Sequence, residues 1–161
     1  MENEFMKIAE QLRKYKTVQG IMKYVNEETL IKQHQKQEKK KASGIDGMTK
    51  TEYGENLKGN VKDLIGRMRT MSYRPQAVRR TYIPKTGSNE LRPLGIPAYE
   101  DRLVQGAMTD VLNAIYEPIF LDVSYGFRPE RDMHQAIKEL DNIIMRKKVN
   151  YVVDADIKRV L

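Results

Sequence analysis

From Val78 to Ile96 the helical spacing of apolar residues on both sides gives way to two short β-type runs. Val78-Arg-Arg-Thr-Tyr-Ile83 and Leu91-Arg-Pro-Leu-Gly-Ile96 read as two short strands. The connector Pro84-Lys-Thr-Gly-Ser-Asn-Glu90 is rich in turn formers, so the pair is expected to close as a β-hairpin. Pro93 must then sit at an edge or a bulge, because it has no N–H for a ladder. A lone hairpin is marginal in water, so the flanking helices have to supply the core.

Those helices are legible from their apolar stripes. Phe5, Ile8, Leu12 and Tyr15 fall at i, i+3, i+7 and i+10. A break at residues 17–20 precedes a second helical stretch, from about Ile21 to Gln37, carried by Ile21, Val25 and Ile31. Its tail, residues 32–41, is polar all round, which fits an exposed linker or a helix lying on RNA. Residues 42–47 form a turn cluster. Thr49 is expected to cap a helix running toward Met71, with Glu52 as its capping-box partner, although Gly54, Gly59 and Gly66 weaken that helix. Residues 97–115 predict a helix buried through Leu103, Ala107, Val111 and Leu112. Asp132 caps a further helix, with Gln135 at its N3 position and a buried stripe of Met133, Ile137, Leu140 and Ile144. A final strand is expected over Tyr151–Asp156. This order of helices, hairpin, helices and strand is an α+β arrangement.

Composition narrows the function classes. A chain of 161 residues is one domain or a piece of a larger one, and a charged fraction of 32% limits its core. There is no cysteine, which excludes disulfides, thiolate metal sites and thiol nucleophiles. The two histidines, His34 and His134, have no partner at ligand spacing. No apolar run approaches a membrane span, and the N-terminus does not read as a signal peptide, so the expected location is cytoplasmic. The net charge of +7 is concentrated between Lys58 and Arg92, where nine basic residues meet only Asp63 and Glu90. Such a stretch suits phosphate binding, and Tyr73 and Tyr82 interleaved with it favour nucleic acid over an ordinary solvated face.

Two constellations could carry chemistry. In a strand, Asp154 and Asp156 would share a face, with Cα atoms about 6.5–7 Å apart. That pair could hold a hard cation such as Mg²⁺, pair with a cationic side chain or remain solvated. Lys85 and Arg92 flank the hairpin tip, where a point charge and a planar fork could converge on one anion or stay exposed.

Several motifs together resemble one family. They are Ser43-Gly-Ile-Asp-Gly-Met-Thr49, Tyr73-Arg-Pro-Gln-Ala-Val-Arg-Arg-Thr-Tyr-Ile-Pro-Lys85 and Leu91-Arg-Pro-Leu-Gly-Ile-Pro97, followed by Asp101-Arg102. Glu117-Pro-Ile-Phe120, Ser124-Tyr-Gly-Phe-Arg-Pro129 and Asp154-Ala-Asp-Ile-Lys158 complete the series. In this order they resemble the fingers blocks and the first palm motif of group II intron-encoded reverse transcriptases. The resemblance implies the fingers and partial palm of a right-hand polymerase. Residues 1–42 would be an N-terminal helical extension, 43–149 the fingers, and 150–161 the first, truncated palm strand. Asp156 would be the catalytic metal ligand, with the Ile157 carbonyl as a second contact to Mg²⁺. Lys85, Arg92 and Arg79 would bind the nucleotide triphosphate. Arg74, Arg80, Tyr125 and Arg128 would contact nucleic acid. The implied partners are intron and template RNA, a DNA primer and deoxynucleotides.

The sequence also departs from the family. Arg159, Val160 and Leu161 stand where a small residue and an aromatic are usual, and no Asp-Asp pair follows an aromatic anywhere in the 161 residues. The expectation is an N-terminal piece of an RNA-directed DNA polymerase and maturase that binds RNA without polymerising. The alternative is a standalone RNA-binding or assembly module. Self-association into a homodimer is compatible with both.

Overall fold

The computed structural model describes residues 2–87, 89–155 and 157. By internal packing the chain divides into two units, Met1–Pro118 and Ile119–Leu161.

In the first unit, α1 (Glu2–Tyr15) is followed by a single 3₁₀ turn (Ile21–Tyr24), α2 (Glu27–Lys36), α3 (Lys50–Glu55) and α4 (Leu57–Arg69). The second helical stretch is therefore not continuous. Asn26 interrupts it, because its side chain accepts from Thr29 N–H at 3.0 Å while Thr29 Oγ1 accepts from Asn26 N–H at 2.9 Å, a reciprocal cap that starts a new helix. The same chemistry works at Thr49 and Glu52, as expected. The helix expected to run on toward Met71 instead breaks at Asn56, which divides α3 from α4.

The strands are β1 (Arg79–Pro84) and β2 (Leu91–Ile96), antiparallel, with Tyr82 opposite Pro93 and Pro84 opposite Leu91. Lys85 N–H donates to Glu90 O at 2.9 Å, so the 85–90 pair is hydrogen-bonded and the pairs 84–91 and 82–93 fall on the other alternation. Both prolines thus point their nitrogens away from the partner strand, and no ladder bond is lost.

Helix α5 (Tyr99–Tyr116) organises the core. Leu103 and Ala107 join Leu30, Tyr53, Val61, Leu64 and Tyr99 in the main cluster, so α2, α3, α4 and α5 share one apolar centre. Val111 and Ile115 turn the other end of α5 toward Ile8 and Tyr24. Leu112, expected in the buried stripe, is 40% exposed, since it falls on the flank of that face.

The second unit holds α6 (Met133–Arg146), capped by Asp132, whose Oδ1 accepts from Gln135 N–H at 2.8 Å. Its apolar stripe differs from expectation. Met133, Ile137, Leu140 and Ile144 are all exposed, because the described residues of this unit contain no second helix or strand to cover them. The expected strand at Tyr151–Asp156 is likewise not formed over its described residues: 148–155 and 157 have no regular secondary structure. A strand needs a ladder partner for its backbone groups, and among the described residues β1 and β2 pair only with each other. The fold is α+β, with the sheet reduced to the hairpin. No helix of the described residues is long and apolar enough to cross a membrane.

Candidate nucleic-acid interface

The hairpin projects from a root that is clamped at several points. The turn at residues 42–47 packs directly on the start of α5: a Cβ on Gly44 would lie 2.3 Å from Pro97 O. Asp46 Oδ2 accepts from Tyr99 N–H at 2.7 Å, supplying the cap that Ala98 cannot. Arg102 donates to Ala42 O and, at 3.1 Å, to Pro97 O. Asp101, only 4% exposed, accepts from the Tyr73 hydroxyl and from Gln76 N–H at 2.9 Å. That carboxylate holds the extended segment entering β1 against α5. Behind it, Arg67 grips Glu100 with Nη2 at 2.7 and 2.9 Å and Asp63 with Nε at 2.8 Å, and the Tyr53 hydroxyl also donates to Glu100.

Electrostatics follow from this burial. The Tyr53 and Tyr73 hydroxyls are pushed well above the ordinary tyrosine range, by burial first and by the carboxylates they face second. Burial also raises Tyr99, to about 12. His34 is packed between Tyr53 and Tyr99, with Nδ1 2.9 Å from the Tyr99 hydroxyl. Its pKa is lowered by burial and then by the nearby Lys50 ammonium.

On the hairpin the register separates two faces. Arg79, Thr81 and Ile83 lie opposite Ile96, Leu94 and Arg92, so Arg79 and Arg92 share a face. Lys85 continues that alternation through its bond to Glu90. Arg80 and Tyr82 lie on the other face, opposite Gly95 and Pro93. Arg79 and Ile83, which is opposite Arg92, are about 13 Å apart along the strand. Long side chains from both ends can converge on one extended anion.

The side chains differ in how far they are already engaged. Arg79 donates Nε and Nη2 to Ser43 O at 3.0 and 2.7 Å, which leaves three of its five N–H groups for another acceptor. Lys85 pairs with Glu90 at 3.1 Å. Arg92 and Arg80 are exposed and make no hydrogen bond or ion pair among the described residues. Arg74 is turned back on its own segment, with Nη1 donating to Met71 O at 2.8 Å and Tyr73 O at 2.9 Å.

Tyr125 and Arg128 belong to the second unit. The Tyr125 hydroxyl donates to Glu139, and Arg131 stacks over its ring at 5.3 Å. Arg128 donates to Leu121 O and Ser124 O at 2.9 and 2.8 Å and lies 5.1 Å over Phe120, so it closes its own loop. Next to it Phe127 is fully exposed, with φ of 58°.

Asp156 lies outside the described residues. Asp154 is exposed in an irregular segment rather than on the expected strand. Among the described residues no three His, Asp or Glu side chains cluster as a metal site. The contributions of Asp101, Glu100 and Arg67 were not evident in the sequence. Acids in the first turn of a helix look like ordinary dipole partners, and only the fold brings Tyr73 and Arg67 onto them.

No family model matches the chain. Part of the chain is 49% identical over 80 residues to the group II intron-encoded protein LtrA of Lactococcus lactis subsp. cremoris, covering 50% of the chain and 13% of LtrA. Over 95 residues it is 45% identical to the protein YkfC of Escherichia coli, covering 59% of the chain and 25% of YkfC. An uncharacterized 91 kDa protein in the cob intron of Schizosaccharomyces pombe is 40% identical over 80 residues, 50% of the chain and 10% of that protein. The shared segment is a quarter or less of each of these relatives. The resemblance to group II intron-encoded proteins read from the motifs is thus matched by sequence similarity over about half the chain.

Proposed function

We propose that this chain is the RNA-binding N-terminal part of a group II intron reverse transcriptase and maturase. In that reading residues 1–42 are its helical extension, 43–149 its fingers and 150–161 the start of its palm. The whole protein would be an RNA-directed DNA polymerase that also assists splicing of its intron RNA. The observation that carries the reading is the hairpin face. Arg79, Lys85 and Arg92 share it, on a hairpin whose root is clamped to α5, within motifs that resemble this family.

Each residue has a definable part. Arg92 offers a free planar fork to phosphate oxygens. Lys85 exchanges Glu90 for the more highly charged triphosphate of a deoxynucleotide. Arg79, fixed by Ser43 O, presents its remaining donors at a set angle. Arg80 and Tyr82, on the opposite face, meet the nucleic acid, the ring offering a stacking surface. Mg²⁺ would neutralise charge on the reacting phosphates in the whole enzyme, with Asp156 and the Ile157 carbonyl as its ligands in this segment. Two-metal transfer requires carboxylates that clamp both ions, and the 161 residues contain no Asp-Asp pair to complete that set. In this reading the isolated 161 residues bind RNA and do not extend primers.

Filter binding to RNA across a salt series, together with primer extension in Mg²⁺ and deoxynucleotides, tests this reading. The expected result is affinity that falls steeply with salt and no extension. Extension by the purified chain, or binding that is flat with salt, overturns it.

A further inference from the structure

The lysines and arginines of the first unit divide by what they touch. Lys36 pairs with Asp110, Lys50 caps the end of α2 through Gln35 O and Gln37 O, and Arg67, Arg74, Arg79 and Arg102 all hold carboxylates or carbonyls. Three cations on α4 do none of this. Lys58, Lys62 and Arg69 are exposed and make no hydrogen bond or ion pair among the described residues.

Their spacing is ordered. At i, i+4 and i+11 they form one stripe along the helix, about 6 Å and then about 10 Å apart along its axis. The fully buried Val61 and Leu64 anchor other faces of α4 in the core, so the stripe is held on a rigid element. Gly66 adds no side chain between Lys62 and Arg69, and a Cβ there would meet nothing within 4 Å, so a ligand can approach the helix backbone closely. The stripe forms one wall of a groove of about 840 Å³, whose other wall is the start of α2 with Glu27 and Glu28.

We infer that this face of α4 is a second RNA contact, a track on which Lys58, Lys62 and Arg69 bind successive phosphates of one strand. The inference rests on the RNA-binding reading and adds to it a site distinct from the hairpin. Charge complementarity selects a polyanion, and the acidic far wall restricts it to a single backbone along the α4 edge. A duplex lying across the groove would press its second strand on Glu27 and Glu28. The track reads phosphates only, so it contributes affinity without sequence preference.

The test uses the 161-residue chain and a fluorescein-labelled single-stranded RNA of mixed sequence. Affinity is measured between 50 and 200 mM salt for the wild type and for Lys58→Ala/Lys62→Ala/Arg69→Ala. Each lost phosphate contact lowers the log–log salt slope by about 0.7, so the triple variant should lose about 2 from its slope. Over that salt range the wild type should then lose roughly twentyfold more affinity than the variant. Lys58→Arg/Lys62→Arg/Arg69→Lys keeps every charge and should restore the slope, which a change of fold would not explain. Glu27→Gln/Glu28→Gln should raise affinity severalfold. An unchanged slope in the alanine variant overturns the track while leaving hairpin binding intact. An unchanged affinity in the glutamine variant overturns the placement of the strand in the groove. If the wild type binds no RNA, the broader reading falls with it.

Discussion

Gly44→Ala is the substitution to which the hairpin root should be most sensitive. The new Cβ would lie 2.3 Å from Pro97 O, 2.6 Å from Ala98 Cα and 2.7 Å from Ala98 N. All three are backbone atoms, so no side chain can swing aside. Reaching ordinary contact at 3.4 Å requires about 1 Å of separation between the 42–47 turn and the start of α5. The bond from Tyr99 N–H to Asp46 is 2.7 Å and would stretch out of range, and the Arg102 bond to Ala42 O would follow. Overpacking costs about 1–3 kcal/mol, and losing one or two charge-assisted hydrogen bonds about 1.5–3 kcal/mol more. The sum, about 2.5–6 kcal/mol, is a large share of the stability of an ordinary domain. Urea unfolding followed by helical circular dichroism reads it directly. With a slope of about 2 kcal/mol/M, the midpoint should fall by about 1.2–3 M. Gly66→Ala is the internal control, because the same methyl lands in open space inside α4 and should stabilise by about 0.5–1 kcal/mol. A Gly44→Ala midpoint within error of wild type would refute the close approach and the clamp built on it.

Two further outcomes follow from buried polar groups. Asp101→Ala should lower stability by about 2–4 kcal/mol, because it strands the Tyr73 hydroxyl and Gln76 N–H, while Asp101→Asn keeps an acceptor and should cost less; thermal melts of the two variants separate these values. His34 has a folded-state pKa below its ordinary 6.5, so as pH falls below about 6.5 the unfolded chain takes up the proton first and stability declines toward the lower folded value; urea midpoints at pH 7 and pH 5 should show this decline, and His34→Gln should remove it.

The parts of the fold that were legible in the sequence are those set by local chemistry. The period-two runs, the Thr49–Glu52 cap, the Asp132 cap and the stripe of Leu103, Ala107 and Val111 each depend on residues within a turn or two of one another. Leu112 is misread because a stripe wide enough to include it spans more of the helix than the core covers. The break at Asn26 was legible in principle, since Asn-Glu-Glu-Thr carries its own cap, but Ile21, Val25 and Ile31 on either side suggested one continuous helix. The α6 stripe and the terminal strand show the opposite limit. Amphipathic pattern states which face wants burial, and period two states which residues want a ladder, but neither supplies the partner. The described residues of Ile119–Leu161 contain none, so Met133, Ile137, Leu140 and Ile144 stay exposed and residues 148–155 stay irregular.

The candidate site was least legible where charge alone was the signal. In sequence, the nine cations between Lys58 and Arg92 are equivalent, and counting them implies a single phosphate-binding stretch. In the structure they have different work. Arg67 and Arg74 are committed to carboxylates and carbonyls, Arg79 is half committed, and Lys85 is paired with one glutamate. Lys58, Lys62, Arg69, Arg80 and Arg92 are exposed and have no side-chain partner among the described residues, and they fall in two places, the outer stripe of α4 and the hairpin. A committed arginine affects binding only by displacing the scaffold, so its loss appears first as lost stability. A free cation contributes through counterion release, so its loss appears first in the salt slope. For Arg67 and Arg79 the distinction depends on partners 33 and 36 residues away, Glu100 and Ser43, and no local pattern encodes those.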